Sequence, residues 1–323
     1  STWRLLPKER YFEAHPEWYA LDRATGARKP VAICFTETGA RQQAATEVLA
    51  FLKEHPETRI VSVSCDDSDA ACQCERCEAL RAREGGEAGP LIDFVNAVAA
   101  EVAKQHPDVL VSTLAYWKTD RPPQTVKPLP NVLVQFGVLD RNHKLPISKV
   151  GNFSRYLVRW RELTKHVYMW DYDPHFSNFI QPHPNHFVMP ESLRYYRGQG
   201  VSGVFIQGSW GSTGEFMHLR AWLTAQLLWD PGRDARALMT DFLNGYYGAA
   251  GPLLLQYIDL IGSAVSRQPA LWLGVYDATT RHWLTLEDLT AEPIRKNTGS
   301  PAAAASAWET SRVSDVRSGS ARP

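Results

Sequence analysis

Short apolar runs that alternate with amphipathic helical patterns constrain the fold of this chain more than any other feature. Six runs rich in β-branched residues predict strands, at 31–36, 60–65, 110–116, 132–137, 167–172 and 203–208. Apolar residues spaced three and four apart predict helices near 40–55, 89–106, 150–165, 189–199, 215–229 and 234–262. Strands that alternate with helices form βα units, and runs that are apolar on both faces indicate a covered parallel sheet. We therefore predict an α/β fold with all six strands parallel and in sequential order.

The number of predicted strands bears on whether the sheet closes. A (β/α)8 TIM barrel needs eight βα units, two more than the six runs supply. Residues 1–30 show no clear strand and are rich in Trp, Tyr and Pro. We expect either an open sheet or a barrel whose first two strands precede Ser1, with strand 31–36 as an unpaired edge.

Composition divides the chain near residue 265. The 323 residues, 44% of them hydrophobic, suffice for one large domain or two small ones. From about residue 295 the sequence has few large apolar side chains and many Ala, Ser and Arg, which predicts disorder. We expect one domain over 1–265 and a tail outside it over 266–323, disordered from about 295.

Charge and missing motifs exclude several classes of protein. The chain has 35 basic and 35 acidic residues, without the basic surplus of a nucleic-acid-binding surface. No apolar run reaches the roughly 18 residues of a membrane span, so we expect none. The sequence has no Gly-x-Gly-x-x-Gly after a strand, no phosphate-binding loop, no His-Glu-x-x-His and no Gly-x-Ser-x-Gly.

Two adjacent carboxylates, Asp66 and Asp67, follow the second predicted strand. Barrel enzymes place their chemistry at the carboxyl ends of the strands. Because side chains alternate along a strand, one acid can face the barrel mouth while the other orients a neighbour. Most glycoside hydrolases catalyse the reaction with two carboxyl groups whose pKa values differ. The alternative is that such acids cap a helix or lie in a solvated loop, which we expect for Asp69.

Asp171 ends the fifth predicted strand between Trp170 and Tyr172, and His175 follows on the same rim. Aromatic faces stack on sugar rings, and a carboxylate binds sugar hydroxyls or supports positive charge. This pattern indicates a carbohydrate site. The alternative is that Asp171 caps the turn after the strand.

Further candidates follow two other predicted strands. Gln207 ends the last strand, and a Gly/Ser-rich loop containing Trp210 leads to Glu215, where the next helix is expected to begin. Glu215 is either a catalytic acid or a first-turn residue stabilised by the helix dipole. Tyr116 and Trp117 end the third strand, where they either form another ring platform or pack in the core.

The cysteines form a further candidate site. Cys72, Cys74 and Cys77 form a Cys-x-Cys-x-x-Cys cluster, and Cys34 and Cys65 lie on predicted strand ends. We expect the three clustered cysteines to lie within one loop, with Cys34 nearby, because the strands that carry Cys34 and Cys65 would be neighbours in a sequential sheet. Three states remain open: a structural zinc site made by Cys34 with the three clustered thiols, one or two disulfides, or reduced thiols. None of these is catalytic, and we expect no cofactor to be required.

Seven segments of the chain occur in an order and at a spacing that are characteristic of one protein family. They are RLLPKERYFEAHPEWYAL at 4–21, VSVSCDDSDAACQCERC at 61–77, LIDFVNAVAAEVAKQHPD at 91–108, TLAYWKTDRPP at 113–123, VYMWDY at 167–172, LRAWLTAQLLWDP at 219–231 and YYGAAGP at 246–252. Together they resemble a bacterial domain-of-unknown-function family of glycoside-hydrolase-like TIM barrels, over roughly residues 3–262. In that family the strand before the cysteines usually ends in Asn-Asp, so Asp67 matches the usual Asp and Asp66 replaces the Asn.

The resemblance implies a barrel in which the six predicted strands are strands three to eight. Asp67 would then end the fourth strand and Asp171 the seventh. The family looks related to α-glucuronidases and β-hexosaminidases, and some members are endo-β-N-acetylglucosaminidases. In such enzymes the acetamido group of the substrate can act as the nucleophile.

We therefore expect a glycoside hydrolase that acts on an oligo- or polysaccharide, secreted or periplasmic, with N-acetylglucosamine or uronic acid in its substrate. Asp67 would be the general acid/base, Asp171 would stabilise the oxocarbenium charge or orient an acetamido nucleophile, and Glu215 would be the reserve acid. The expected substrate-binding residues are Tyr116, Trp117, Trp170, Tyr172, His175, Gln207 and Trp210. The alternatives are a lyase or esterase on the same scaffold and a non-catalytic carbohydrate-binding or degenerate barrel.

Overall fold

A computed structural model describes residues 2–210 and 213–276. The chain divides into two compact units. Of the described residues, the first unit comprises 2–173 and Glu191–Gly208, and the second comprises Pro174–Pro190, 209–210 and 213–276.

A curled, half-barrel sheet of five parallel strands forms the centre of the first unit. Its strands are β3 (Ile60–Ser62), β4 (Leu110–Ala115), β5 (Val132–Gly137), β6 (Val167–Tyr172) and β7 (Gly203–Gln207), and each pairs with the next along the chain. Five of the six residues of the central strand β5 are buried, as its continuous apolar sequence predicts. The parallel, sequential order is thus confirmed for five of the six predicted strands.

The first predicted strand, 31–36, is not part of this sheet, and that prediction was wrong. Residues 31–33 of this run belong to β2 (Arg28–Ile33), which pairs antiparallel with β1 (Tyr19–Leu21), and residues 34–36 lie beyond the strand. A turn joins the two strands: the Asp22 carboxylate accepts bonds from two backbone N–H groups, and Gly26 adopts φ +68°. The expectation of no strand within 1–30 was therefore also wrong, because a tight turn lets such short strands pair locally.

The α-helices follow most of the predicted boundaries. They are α1 (Thr2–Leu5), α2 (Lys8–Tyr11), α3 (Thr38–Glu54), α4 (Glu75–Glu84), α5 (Ala88–Gln105), α6 (Gly151–Leu163), α7 (Val188–Gly198), α8 (Met217–Trp229), α9 (Ala235–Tyr247) and α10 (Gly251–Ser266). Short 3-10 helices lie at Pro16–Trp18, Trp117–Thr119, Ile147–Lys149 and Gly248–Ala250. The predicted helix 234–262 is two helices, because the chain turns at Gly248, whose φ is +56°. Helix α4 was not predicted, since its sequence is mostly charged and only three of its residues are buried.

Packing in the first unit fixes the loops that follow the strands. Helix α5 packs on α3 and β4, with Phe94 and Val98 fully buried. Burial of each such side chain stabilises the folded state by about 1.5–3 kcal/mol. Glu84, also buried, accepts bonds from the backbone N–H groups of Thr125 (2.7 Å) and Val126 (3.0 Å). Burial raises the pKa of Glu84, but these bonds and one from the Thr125 hydroxyl lower it further, to about 2. The segment after β4 is therefore tied to α4.

The second unit is helical in the part that the structure describes. Leu219, Leu223 and Leu227 recur every four residues on α8 and are buried. Helices α9 and α10 pack together, with an ion pair between Arg236 and Asp259.

The stretch 235–266 is long and apolar enough to cross a membrane by length and composition, and 28% of its most apolar window is buried. The turn at Gly248 and the packing of α9 on α10 are also what the helices of a globular domain show. The absence of a membrane span stays a prediction.

Packing in the second unit continues past residue 265, the boundary expected from composition. Leu273 and Val275 are buried, and the Val275 carbonyl accepts a 2.7 Å bond from the backbone of Phe176. The predicted disordered segment from about 295 lies outside the described residues.

Candidate functional site

The carboxyl ends of the five parallel strands lie along one edge of the sheet in the first unit. Acidic residues follow four of these strands at that edge: Asp66 and Asp67 after β3, Asp120 after β4, Asp140 after β5, and Asp171 and Asp173 at the end of β6. This edge is the candidate site, because side chains from neighbouring strand ends converge there.

The loop after β3 carries the two acids that the sequence analysis singled out. Asp67 is exposed, whereas Asp66 is half-buried and accepts a 2.6 Å bond from the Thr2 hydroxyl. Lys118, which follows β4, donates from Nζ to the carbonyls of Ser68 and Ala70. The loops after β3 and β4 therefore contact each other directly.

A strained turn follows β4. Trp117 adopts φ +53°, a conformation that costs a non-glycine residue on the order of 1 kcal/mol. The turn is held by bonds between Tyr116 and Thr119, and the Trp117 side chain is 43% exposed. Trp117 thus presents a ring to solvent at the candidate site, while Tyr116 packs against Gly137 of β5, where a Cβ would lie 2.8 Å from the Tyr116 Cβ.

Asp120 follows this turn and is a functional candidate that the sequence analysis missed. Burial and the negative charge of Asp140 raise the pKa of Asp120 from 3.8 to about 6, against bonding from Arg121 that lowers it. A carboxyl group of this kind stays partly protonated near neutral pH and can donate a proton. It was missed because it lies five residues beyond the end of β4, after the 3-10 helix Trp117–Thr119.

Asp171 lies at the end of β6, but its carboxylate is fully buried. Arg141 donates to both of its oxygens at 3.0–3.1 Å, and the Tyr196 hydroxyl donates to Oδ2 at 2.7 Å. The backbone N–H of Tyr172 adds a 2.8 Å bond. Burial and the Asp171 charge raise the pKa of Tyr196 well above its ordinary value. The negative charge of Asp171 is thus balanced by the buried Arg141 guanidinium, and the protonated Tyr196 hydroxyl adds a hydrogen bond to it.

Trp170 and Tyr172 flank Asp171 in sequence but lie on the opposite face of β6, because side chains alternate along a strand. The Trp170 indole donates a 2.9 Å bond to the Gln207 side chain on β7 and packs edge-on against Phe205. Tyr172 is buried, with its ring 6.4 Å from that of His143. The structure brings Trp170 and Gln207 together and separates both from the Asp171 carboxylate.

Glu215 belongs to the second unit and does not begin a helix, so the first-turn alternative was wrong. Helix α8 starts at Met217, and Phe216 before it adopts φ +48°. Arg220 binds the Glu215 carboxylate at 2.5 and 3.1 Å, and its other donors reach the Asn185 side chain (2.6 Å) and the His183 carbonyl (2.7 Å). Glu215 is therefore held in a buried ion pair.

Histidines surround this ion pair within the second unit. His186 lies 3.8 Å from the Glu215 carboxylate. Burial, with the charges of Arg220 and His183, lowers the pKa of His186 well below its ordinary value. His175 is buried, and its ring lies 6.0 Å from the His183 ring. Trp210 is 70% exposed.

Four of the five cysteines come together, as the sequence analysis predicted. The Sγ atoms of Cys34, Cys72, Cys74 and Cys77 lie within 4.8 Å of one another, and all four residues are buried. The expected route was wrong, since Cys34 reaches the cluster at the end of the hairpin and not from the parallel sheet. The cluster also does not lie within one loop, because Cys77 is in α4. The described cysteines form no disulfide.

Comparison with protein families places the chain. A family model described as "Domain of unknown function (DUF4838)" matches residues 1–259. The chain therefore belongs to this family, in agreement with the resemblance noted from its sequence.

Among solved structures, the chain resembles a "GH138 enzyme targeting pectin rhamnogalacturonan II", with 9% identity and a TM-score of 0.35. The match covers 73% of this chain and 35% of that one, so the chain spans about a third of the length of the structure it matches. No curated protein matches the chain.

Proposed function

We propose that this protein is a glycoside hydrolase that acts on a glycan through carboxylates at the strand ends of its parallel sheet. The observation that carries the proposal is the row of acids after β3, β4, β5 and β6, in which Asp120 has a pKa of about 6. Glycoside hydrolysis uses a pair of carboxyl groups, one of which is protonated when the glycosidic bond breaks.

The sheet is proposed to be part of a (β/α)8 barrel. Its five strands correspond to strands four to eight, since the run 31–36 lies in the hairpin and leaves the count one lower than the sequence implied. Asp67 then follows the fourth strand and Asp171 ends the seventh, as before.

Asp67 and Asp120 are the proposed catalytic pair. They follow adjacent strands, and adjacent strands lie about 4.8 Å apart, which suits the carboxyl separations of roughly 5–10 Å in glycosidases. Asp171 is less suited as the partner of Asp67, because its carboxylate is fully buried and bound by Arg141 and Tyr196. We assign Asp120 the role of general acid and Asp67 that of base or nucleophile. This revises the expectation that Asp67 donates the proton.

Asp171 is proposed as a positioning residue. Its buried carboxylate is bound by Arg141 and Tyr196, so it fixes the ends of neighbouring elements and does not itself touch a substrate. This replaces the expectation that Asp171 stabilises the oxocarbenium charge or orients an acetamido nucleophile. Glu215 remains the reserve acid, in the second unit.

Carbohydrate binding is assigned to the aromatic and polar side chains predicted from sequence. The exposed rings of Trp117 and Trp210 are proposed platforms for sugar rings. Tyr116, Trp170, Tyr172, His175 and Gln207 complete the set. An N-acetylglucosamine- or uronic-acid-containing glycan and a secreted or periplasmic location rest on the family resemblance alone.

A screen of aryl glycosides, with β-N-acetylglucosaminides and glucuronides first, tests the proposal. It uses this chain and, where the gene encodes a longer product, the whole protein. General acid–base catalysis contributes about 10²–10⁴-fold, so Asp120→Asn and Asp67→Asn should each lower kcat by that order.

The matched control is Asp108→Asn, an exposed acid that precedes β4 at the opposite edge of the sheet. It should turn over like the wild type. Unchanged turnover in both Asp67→Asn and Asp120→Asn would refute the assignment and direct attention to Glu215.

A carbohydrate-binding protein without hydrolytic activity is the second candidate. The observation that favours it is the saturated, buried state of Asp171, which leaves one acid fewer for chemistry at the strand ends. Saturable quenching of tryptophan fluorescence by an oligosaccharide that is recovered uncleaved would support binding alone.

A further inference from the structure

We propose that Cys34, Cys72, Cys74 and Cys77 bind one Zn²⁺ ion as a structural site with four thiolate ligands. The geometry of the four sulfurs, the elements that carry them and the donors around them all suit such a site.

The spacing of the sulfurs matches tetrahedral zinc coordination. With Zn–S bonds of about 2.3 Å, the ligand sulfurs of a tetrahedral site lie about 3.8 Å apart. Cys34 Sγ lies 3.7 Å from Cys74 Sγ and 3.8 Å from Cys77 Sγ. A disulfide would need about 2.05 Å between the sulfurs. Four sulfurs in one cluster, none at bonding distance, fit a shared metal ion better than pairwise bridges.

Three separate elements bring the ligands together. Cys34 follows β2, and its N–H donates 2.8 Å to the Trp18 carbonyl. Cys72 lies in the segment after the acid pair, Cys74 is the N-cap of α4, and Cys77 is in the first turn of that helix. Cys74 and Cys77 thus have the Cys-x-x-Cys spacing that is typical of structural zinc ligands.

Donors next to the sulfurs suit thiolate ligands. The backbone N–H of Leu21 donates to Cys72 Sγ at 3.4 Å, and the Thr36 hydroxyl lies 3.2 Å from Cys77 Sγ. Arg28 lies 3.8 Å from Cys72 Sγ, anchored by bonds from its guanidinium to the Tyr19 carbonyl. Four thiolates and Zn²⁺ carry a net charge of −2, which this guanidinium partly offsets. Such outer donors orient and stabilise metal ligands.

The proposed ion would fasten the hairpin to the loop that carries the acids. Two hydrogen bonds already join the hairpin to this loop. The Gln73 N–H donates a 2.9 Å bond to the Leu21 carbonyl, and the Arg23 N–H donates a 2.8 Å bond to the Gln73 side chain. Metal binding displaces the thiol protons and adds its free energy to folding.

Metal analysis of the purified chain tests the site without any substrate, so its outcome is independent of the proposed glycosidase activity. The chain is expressed with added zinc and purified without chelators, and its metals are measured by mass spectrometry. We expect about one zinc per chain in the wild type and at least a tenfold lower content in Cys77→Ser. Cys65→Ser is the matched control, since Cys65 is buried but outside the cluster, and it should keep its zinc.

Cobalt reconstitution covers the case in which Cys77→Ser does not fold. The reduced wild-type chain is titrated with Co²⁺, which should saturate at about one equivalent and give the intense visible absorption of tetrahedral thiolate coordination. Added Zn²⁺ should then abolish that absorption.

Three results would overturn the proposal. They are a wild-type chain that binds neither zinc nor cobalt stoichiometrically, disulfides among the four cysteines found by peptide mapping of the native protein, and equal loss of zinc in Cys65→Ser. An iron ion in place of zinc would keep the four-thiolate site but refute the metal assigned to it.

Discussion

Two carboxylates at the same edge of the sheet, Asp171 and Asp120, are both withdrawn from water, but their neighbours differ in charge. Asp171 meets a guanidinium, a phenol and a backbone N–H, all of which donate to its carboxylate. Asp120 meets the like charge of Asp140, and its pKa rises to about 6. A buried carboxylate that is bound by donors stays charged and has a structural role. A carboxyl group that is buried beside a like charge has a raised pKa and can exchange a proton near neutral pH. The difference directs the search for chemistry away from the more obvious residue of the pair.

The largest expected effect comes from removing the partner of the framework acid. Arg141→Met leaves the Asp171 charge buried and unpaired, so it should lower the free energy of unfolding by about 3–5 kcal/mol. Urea denaturation followed by circular dichroism measures the change.

Arg155→Met, at an exposed position on α6, is the control and should change the unfolding free energy by less than about 0.5 kcal/mol. The double variant Arg141→Met with Asp171→Leu should recover much of the loss, since it removes both charges. A single variant as stable as the wild type would show that Asp171 does not depend on this pair.

A smaller loss should follow the removal of one hydroxyl. Tyr196→Phe deletes a hydrogen bond to a charged carboxylate, which costs about 1.5–3 kcal/mol. Tyr195→Phe, one residue earlier on the same helix and only half-buried, should be nearly neutral. Equal effects of the two substitutions in the same denaturation experiment would contradict a specific role for Tyr196.

The proton-exchanging acid should show the opposite sign, as a gain in stability. The pKa of Asp120 is raised from 3.8 to about 6 in the folded chain, so the folded state binds its proton more tightly. The wild type should therefore lose stability as pH rises from about 4 to about 6. Asp120→Asn carries no charge and should be more stable than the wild type at about pH 7.5, with the difference vanishing near about pH 3.5.

Thermal melts of the two proteins across this pH range would detect the crossover. A variant that is less stable than the wild type at neutral pH would mean that the carboxylate is stabilised there by bonds that outweigh its burial.

The smallest expected effect concerns the contribution of Asp140 to the raised pKa of Asp120. Asp140→Asn removes a neighbouring negative charge, so the pKa of Asp120 should fall toward its ordinary value while burial keeps it raised. Carboxyl-carbon NMR titration of Asp120 measures it. The same titration in Asp108→Asn should be unchanged; a shift of equal size there would show that only net charge matters.

The parallel sheet could be predicted because its strands are continuous apolar runs, a pattern that needs no knowledge of distant contacts. The hairpin could not, since β1 has only three residues and β2 mixes charged residues and Pro30 with apolar ones. Such strands are recognised by the turn between them, and DRATG at 22–26 was the available signal.

The candidate site was predictable in position but not in role. Asp171 stood out because aromatic residues flank it, yet its true partners lie 25 and 30 residues away in sequence. Burial of a carboxylate beside distant partners leaves no local pattern. The cysteine cluster was predictable in membership, since spacing alone brought three of its four thiols together.

The loop that carries Asp66 and Asp67 is held from two sides, by the hairpin through Gln73 and by Lys118 from the turn after β4. A segment bonded in this way has few independent motions, and its amides should exchange with deuterium slowly for an irregular loop. A glycan that bound at this edge, as proposed, would therefore meet a preformed wall after β3, and movement on binding would come from the other strand ends.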